Sequence, residues 1–236
     1  ENAMQTIGII GGMSWYSTIN YYRIVNARVQ EVLGGHHSAR ILIDSLDFDA
    51  VRACQLAEDW EAAGAMLAAS GRRLQDAGAD TVLIGTNLMH KVAPAVAAAL
   101  DVPLLHIADA VGAAARRNGY DRLAVLGTKW VMGESFYADR LAGFGITALT
   151  PDPERHDALD AIIFDELTQG VVTDASRAMF VAEIEKLAAR GAQAVVLACT
   201  EIELLISPAD SPLPVLDSMA THALAAAEVC LEPVSA

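Results

Sequence analysis

Gly78-Ala79-Asp80-Thr81-Val82-Leu83-Ile84-Gly85-Thr86 and Gly191-Ala192-Gln193-Ala194-Val195-Val196-Leu197-Ala198-Cys199 align without a gap at an offset of 113 residues. Each begins on a glycine suited to the position just past a helix, runs through an apolar stretch and stops at a small polar side chain. Strands of a parallel sheet, buried on both faces, read this way. Outward from these segments, Ile7-Gly8-Ile9-Ile10-Gly11 matches Leu123-Ala124-Val125-Leu126-Gly127 at an offset of 116, and Val102-Pro103-Leu104-Leu105 matches Leu213-Pro214-Val215-Leu216 at 111. Any two buried strands look alike, but three matches in one order at nearly one offset point to duplicated halves.

The rest of the chain fits that reading, because short strand-like runs alternate with helical-period stretches from end to end. Strands are predicted near 6–10, 40–45, 80–85, 103–106, 122–126, 145–149, 192–198 and 213–216. Helices are predicted near 17–33, 58–77, 88–99, 108–118, 134–143, 155–169, 173–190 and 217–231. The expected fold is α/β, with two pseudo-symmetric, doubly wound parallel-sheet domains: residues 4–115 with a returning C-terminal helix over 217–236, and residues 116–216. An approximate two-fold axis relating such halves would set Thr86 and Cys199 facing each other in an interdomain site, each at the carboxyl end of a strand, where open α/β sheets place ligands.

Composition narrows the function classes. With 236 residues, 53% of them hydrophobic, the chain can bury a substantial core. A net charge of −14 repels phosphate backbones, so neither nucleic acid nor an anionic membrane surface is an expected partner. Glu1-Asn2-Ala3 reads as a vector-derived remnant ahead of Met4, and no signal-peptide pattern follows. No apolar run reaches the roughly 18 residues of a membrane span. Cys54, Cys199 and Cys230 suit neither a disulfide framework nor a zinc cluster, which favours a reducing, cytoplasmic setting.

Inverting the configuration of an α-carbon takes two acid/base groups, one on each face, and a two-fold cleft would supply them. Cysteine fits because its thiol can be acidified at a helix N-terminus, and Cys199 precedes a short helical-looking run. The alternative reading is an inert buried cysteine at a strand end. The repeat and the polar residues after both strand ends favour chemistry.

Three motifs, Ile7-Gly8-Ile9-Ile10-Gly11-Gly12-Met13-Ser14-Trp15, Thr86-Asn87-Leu88-Met89-His90-Lys91 and Ala198-Cys199-Thr200-Glu201, resemble those of the aspartate/glutamate racemase family in order and spacing. The likeness extends over nearly the whole chain. It is greater to the aspartate and broad-specificity branch, because the glutamate racemases of cell-wall synthesis have Cys-Thr-His where this chain has Cys199-Thr200-Glu201. The resemblance implies two α/β domains, racemisation without pyridoxal phosphate or metal, a homodimer, and Thr86 and Cys199 as the catalytic pair. This chain departs from the family at its first motif, usually Cys-Asn-Thr, where it has Thr86-Asn87-Leu88. A threonine hydroxyl can donate a proton but is a poor base. Abstraction by Cys199 should therefore be favoured, with the equilibrium unaltered. One alternative is an enzyme resembling the single-cysteine arylmalonate decarboxylases, in which the cysteine protonates one face of a product; another is a non-catalytic amino-acid-binding protein.

Candidate substrate-binding residues follow. Backbone N–H groups of Asn87 and Thr200 could hold a carboxylate, although both residue types also suit simple N-capping. Met13 and Ser14 follow the glycine turn after the first strand, and Thr128 is their counterpart in the second half. Leu88 and Glu201 belong to the two strand-end motifs. Gln55 is the expected reader of a distal carboxylate, with Arg52 read as a solvated helix residue. No lysine lies near Glu166-Leu167-Thr168-Gln169-Gly170, where some aspartate racemases carry one facing the substrate. His90 and His106 are read first as structural histidines at a helix and a strand end, with assistance to Thr86 the secondary reading of His90, and His36-His37 as a turn in a Gly-rich loop rather than a metal site. No metal ligand set is evident. Trp15, Tyr16, Tyr21 and Tyr22 are expected to serve packing, including at a dimer contact, and Cys54 and Cys230 to lie in the core.

Overall fold

The computed structural model describes residues 4–233. Its contacts divide the chain into two units, one running to Ile107 and resuming at Met219, the other spanning Ala108–Ser218. The first contains β1 (Thr6–Gly11), α1 (Trp15–Leu33), β2 (Arg40–Ser45), α2 (Phe48–Leu56), α3 (Trp60–Asp76), β3 (Thr81–Ile84), a 3-10 turn over Leu88–Val92, α4 (Ala93–Ala98) and β4 (Leu104–Leu105). Its four strands are parallel in the order β2-β1-β3-β4.

The second unit holds most of α5 (Ile107–Arg117), then β5 (Arg122–Gly127), α6 (Lys129–Gly133), α7 (Ser135–Ala142), β6 (Thr147–Leu149), α8 (Pro153–Ala161), α9 (Asp174–Ala189), β7 (Ala194–Ala198), α10 (Ile202–Leu205) and β8 (Val215–Asp217). Its sheet, again parallel, runs β6-β5-β7-β8. The chain then returns through α11 (Ser218–Leu231), whose Met219, Ala223, Ala226, Ala227 and Cys230 pack into the first unit's core with Ile7, Ile9, Tyr21, Val25, Val29 and Leu83.

The two sheets repeat one another in register as well as in strand order. Ile7 pairs with Thr81 across β1 and β3, and Leu123 with Ala194 across β5 and β7. Val82 donates its N–H to the Pro103 carbonyl, and Val195 to that of Pro214, both at 2.9 Å. All three sequence matches therefore occupy equivalent positions. The central strands β1, β3 and β7 are buried along their whole length, and β5 along all but its first residue, which is why they read as unbroken apolar runs.

Departures from the predicted elements have local causes. The helix expected over 88–99 is split, because Pro94 lacks an N–H and can sit only in a helix's first turn, here that of α4. The helix expected over 155–169 ends as α8 and continues through a π turn (Ile162–Glu166) and a 3-10 turn (Leu167–Gln169), closed by Gly170 at φ 73°. Helices α2, α6 and α10, of nine, five and four residues, fall outside the predicted helix ranges. Segments this short hold too few turns for periodicity to register, and caps define them instead: Asp47 accepts the Asp49 N–H at the start of α2, and Thr128 that of Val131 in α6.

Candidate functional site

In each unit the strand-end residues singled out from the sequence gather at the carboxyl edge of the sheet. In the first, β1 ends in Gly11-Gly12-Met13-Ser14. Gly12 has φ 87°, and a Cβ there would lie 2.2 Å from the Leu46 carbonyl oxygen, so only glycine fits. Thr18 fastens this turn to α1, accepting the Gly12 N–H at 2.9 Å and donating to the Ser14 carbonyl at 3.2 Å. Met13 is buried, whereas Ser14 is partly exposed and its hydroxyl makes no capping bond at the start of α1.

The neighbouring strand β3 delivers Gly85-Thr86-Asn87-Leu88, and the Gly85 N–H on the Ile10 carbonyl, at 2.9 Å, ties the two strand ends together. Thr86 is partly exposed, while Asn87, Leu88 and Met89 are buried. Gln55 is buried too: its amide donates to Met89 Sδ at 3.2 Å, and its carbonyl accepts from Arg52 Nη1 at 3.0 Å.

His90 sits in the 3-10 turn that follows Thr86. It is 1% exposed, its Nδ1 lies 2.7 Å from the Thr86 carbonyl oxygen, and its Nε2 lies 3.1 Å from the Ile107 backbone nitrogen. A carbonyl can only accept and a backbone N–H can only donate, so the ring is the neutral Nδ1–H tautomer with Nε2 as acceptor. Burial first, then the neighbouring His106 and His222, hold its pKa well below the usual imidazole value. Both nitrogens are engaged, and His90 is no base for the Thr86 hydroxyl.

In the second unit Thr128 ends β5 as a buried cap of α6, and β7 ends in Cys199-Thr200-Glu201, all partly exposed. Cys199 Sγ donates to Glu201 Oε2 at 3.1 Å, and Thr200 Oγ1 donates to the same oxygen at 2.9 Å. The sequence predicts a thiol acidified at a helix start; here the balance runs the other way. Burial pushes the Cys199 thiol well up, and the Glu201 carboxylate raises it further by charge and hydrogen bond. The Glu201 and Ile202 N–H groups pull it down but are outweighed, and α10, with four residues, carries little dipole. Cys199 therefore rests as a protonated thiol on a carboxylate.

Two carboxyls beyond Glu201 escaped the sequence reading. Glu203 on α10 has a buried Oε1 with no hydrogen-bond partner, and its carboxyl is raised to about 9, first by burial, then by its hydrogen bond to Asp217 and by the charges of Asp217 and Glu201. Glu203 thus keeps its proton at neutral pH. The only sequence signal of Glu203 and Asp217 was position, four residues after Cys199 and at the end of β8. Of the cysteines outside the motif, Cys230 is buried and Cys54 only partly so. Among the described residues, no group of three or more His, Cys, Asp or Glu side chains could hold a metal ion, and no helix is long and apolar enough to cross a membrane.

The family model for Asp/Glu/Hydantoin racemase matches residues 10–226, which include all three strand-end motifs. The chain belongs to this family. Among solved structures it is similar to a Yersinia pestis protein provisionally named an Asp/Glu racemase, with 43% identity, a TM-score of 0.91 and coverage of 97% of this chain and 100% of that one. An aspartate racemase homologue from Pyrococcus horikoshii OT3 matches with 30% identity and a TM-score of 0.82 over the same shares. The aspartate racemase of Picrophilus torridus, at 21% identity and a TM-score of 0.72 over 95% of this chain and 94% of that one, shares the fold.

Proposed function

We propose that this racemase-family protein inverts aspartate, glutamate or a somewhat wider set of amino acids at the α-carbon, with Thr86 and Cys199 as the proton-transfer pair on opposite faces. The observation that carries this reading is the Cys199 thiol on Glu201, 3.1 Å away at the carboxyl end of β7, matched at the equivalent end of β3 by the Thr86 hydroxyl. Abstraction by Cys199 first moves its proton to Glu201, and the resulting thiolate takes the α-proton. The Thr86 hydroxyl then protonates the carbanion from the other face, and solvent restores the hydroxyl. Glu201 also attracts the substrate's ammonium. The N–H groups of Asn87 and Thr200 hold the α-carboxylate, with Met13, Ser14, Leu88 and Thr128 shaping the surroundings. Gln55, held by Arg52, reads a distal carboxylate.

The reaction is proposed to need neither pyridoxal phosphate nor metal, so treatment with hydroxylamine or a chelator should leave the rate unchanged. The test of the central claim is α-proton exchange in D₂O from each enantiomer of several amino acids. Wild type should exchange and invert, and Cys199→Ala should do neither; exchange that survives intact in the variant would remove Cys199 from the mechanism. A second reading has one observation in its favour: a resting protonated thiol is also what a single-cysteine decarboxylase of arylmalonates needs to protonate its product. Release of CO₂ from an arylmalonate, without amino-acid exchange, would establish it.

The protein is further proposed to act in the cytoplasm as a homodimer. Support for the dimer comes from α1, where Trp15, Ile19 and Tyr22 follow i, i+4, i+7 spacing and are each 53% exposed. Sedimentation of wild type against Ile19→Glu tests it, with a monomeric variant expected. Tyr21, on the same helix, belongs instead to the unit's own core.

A further inference from the structure

Behind the Thr86 turn lies a buried group of imidazoles that the proton-transfer scheme does not use. His90 and His106 have ring centroids 4.4 Å apart, and His90 and His222 5.7 Å apart. The Tyr21 hydroxyl lies 2.7 Å from His222 Nδ1, and His222 Nε2 lies 2.9 Å from the Leu105 carbonyl oxygen. The carbonyl requires Nε2–H, and the tyrosine hydroxyl meets Nδ1, so this ring, like that of His90, is held on both nitrogens.

We infer that His90 is a positioning residue that sets the plane of the Thr86–Asn87 peptide. The inference deepens the proposed function and rests on it. A trans peptide is planar, with its C=O and N–H pointing in opposite directions. The Nδ1–H of His90 draws the Thr86 carbonyl toward the buried imidazoles, and the Asn87 N–H is thereby turned away from them, toward the edge where Thr86 lies. One bond thus fixes both a direction for the α-carboxylate and the backbone from which the Thr86 hydroxyl projects. The Ile107 N–H on Nε2, at 3.1 Å, keeps the ring from rotating. The groups that face it, His106 from the end of β4 and His222 from α11, disfavour its protonation, as does burial, so the strut stays neutral.

Misplacing a proton donor by a fraction of an ångström lowers its transfer rate steeply, by about tenfold or more. A carbanion made by Cys199 then partitions back to that face, picking up deuterium without inverting. The readout is therefore the ratio of inversion to exchange for the enantiomer that Cys199 deprotonates, in D₂O. His90→Phe keeps the ring and removes the N–H, and the ratio should fall about tenfold. His90→Asn keeps a donor near the Nδ1 position and should recover most of the ratio, even with its melting temperature lowered by the buried Ile107 N–H. A change in packing alone would lower inversion and exchange together and leave the ratio where it was.

If the Phe and Asn variants share the wild-type ratio, or lose it equally, the inference fails while racemisation by Thr86 and Cys199 stands. If Thr86→Val also keeps the wild-type ratio, the proposed function itself has failed. Long-range ¹H–¹⁵N spectra of the wild-type protein supply a readout that needs no variant to fold: His90 should appear as the Nδ1–H tautomer, and an Nε2–H tautomer would overturn the assignment.

Discussion

The ends of β3 and β7 occupy the same place in two sheets of identical strand order, yet their surroundings differ in kind. Thr86 is backed by buried imidazoles, with the neutral His90 on its own carbonyl. Cys199 is backed by carboxyls: Glu201 bonds its sulfur, and two residues further on Glu203 holds a proton beside Asp217. The first setting holds a weak acid still and offers it no base. The second surrounds a thiol with groups that take or return protons and keeps it protonated at rest. On the proposed mechanism, the same strand-end geometry occurs twice, with one end serving as a fixed donor and the other as an acid/base.

Cys199→Ala should break this comparison most severely, because it removes the group that abstracts the α-proton from one enantiomer and returns it to form that enantiomer in the reverse direction. Exchange and inversion should both fall by about a thousandfold, read by NMR in D₂O and by polarimetry. Thr86→Val should act differently, lowering inversion about a hundredfold while sparing exchange from the enantiomer that Cys199 deprotonates. Since the enantiomers of an amino acid are isoenergetic in water, kcat/KM must be equal in both directions, so the asymmetry has to be sought in exchange. Thr86→Cys would sharpen the comparison by giving both ends a thiol, and inversion should rise relative to exchange.

The sequence disclosed the duplication well because its signal lies in buried central strands, where an apolar run such as Val195-Val196-Leu197-Ala198 leaves few other readings. The same strands ended at Thr86 and Cys199, so the two ends of interest were found with the fold. The protonation states around them were not legible. Glu201 can reach the Cys199 sulfur only because the chain turns sharply after β7, and nothing in Cys199-Thr200-Glu201 announces that turn over a longer helix. Glu203 meets Asp217 across 14 positions of sequence, a pairing set by the neighbouring strands β7 and β8. The bond that holds His90 is hidden for a related reason: its second nitrogen is occupied by Ile107, 17 positions away.

Glu201→Gln addresses the charge on the thiol. With the carboxylate gone, one of the groups that raise the Cys199 thiol disappears, and the sulfur should ionise at lower pH. The rising alkaline limb of Cys199-dependent exchange should then move toward lower pH, whereas a limb that stays put or moves up would detach Glu201 from the thiol. The plateau rate should also drop, because the amide accepts no proton.

The smallest effect concerns stability. Glu203 titrates at about 9 in the folded protein, above the ordinary carboxyl value of 4.5, so its folded form holds a proton that the unfolded chain releases. The sign follows: Glu203 favours the fold fully below pH 4.5, and that contribution drains away as pH rises toward 9. At pH 8 the wild type carries most of this penalty. Glu203→Gln removes the titration and keeps a donor for Asp217, so the variant should be more stable at pH 8 by about 1–2 kcal/mol, a figure set low because the side chain is partly exposed. At pH 5 the two proteins should melt together. Thermal melts across that range check the slope, and an equal gain at both pH values would mean that the substitution acts through packing rather than through the proton on Glu203.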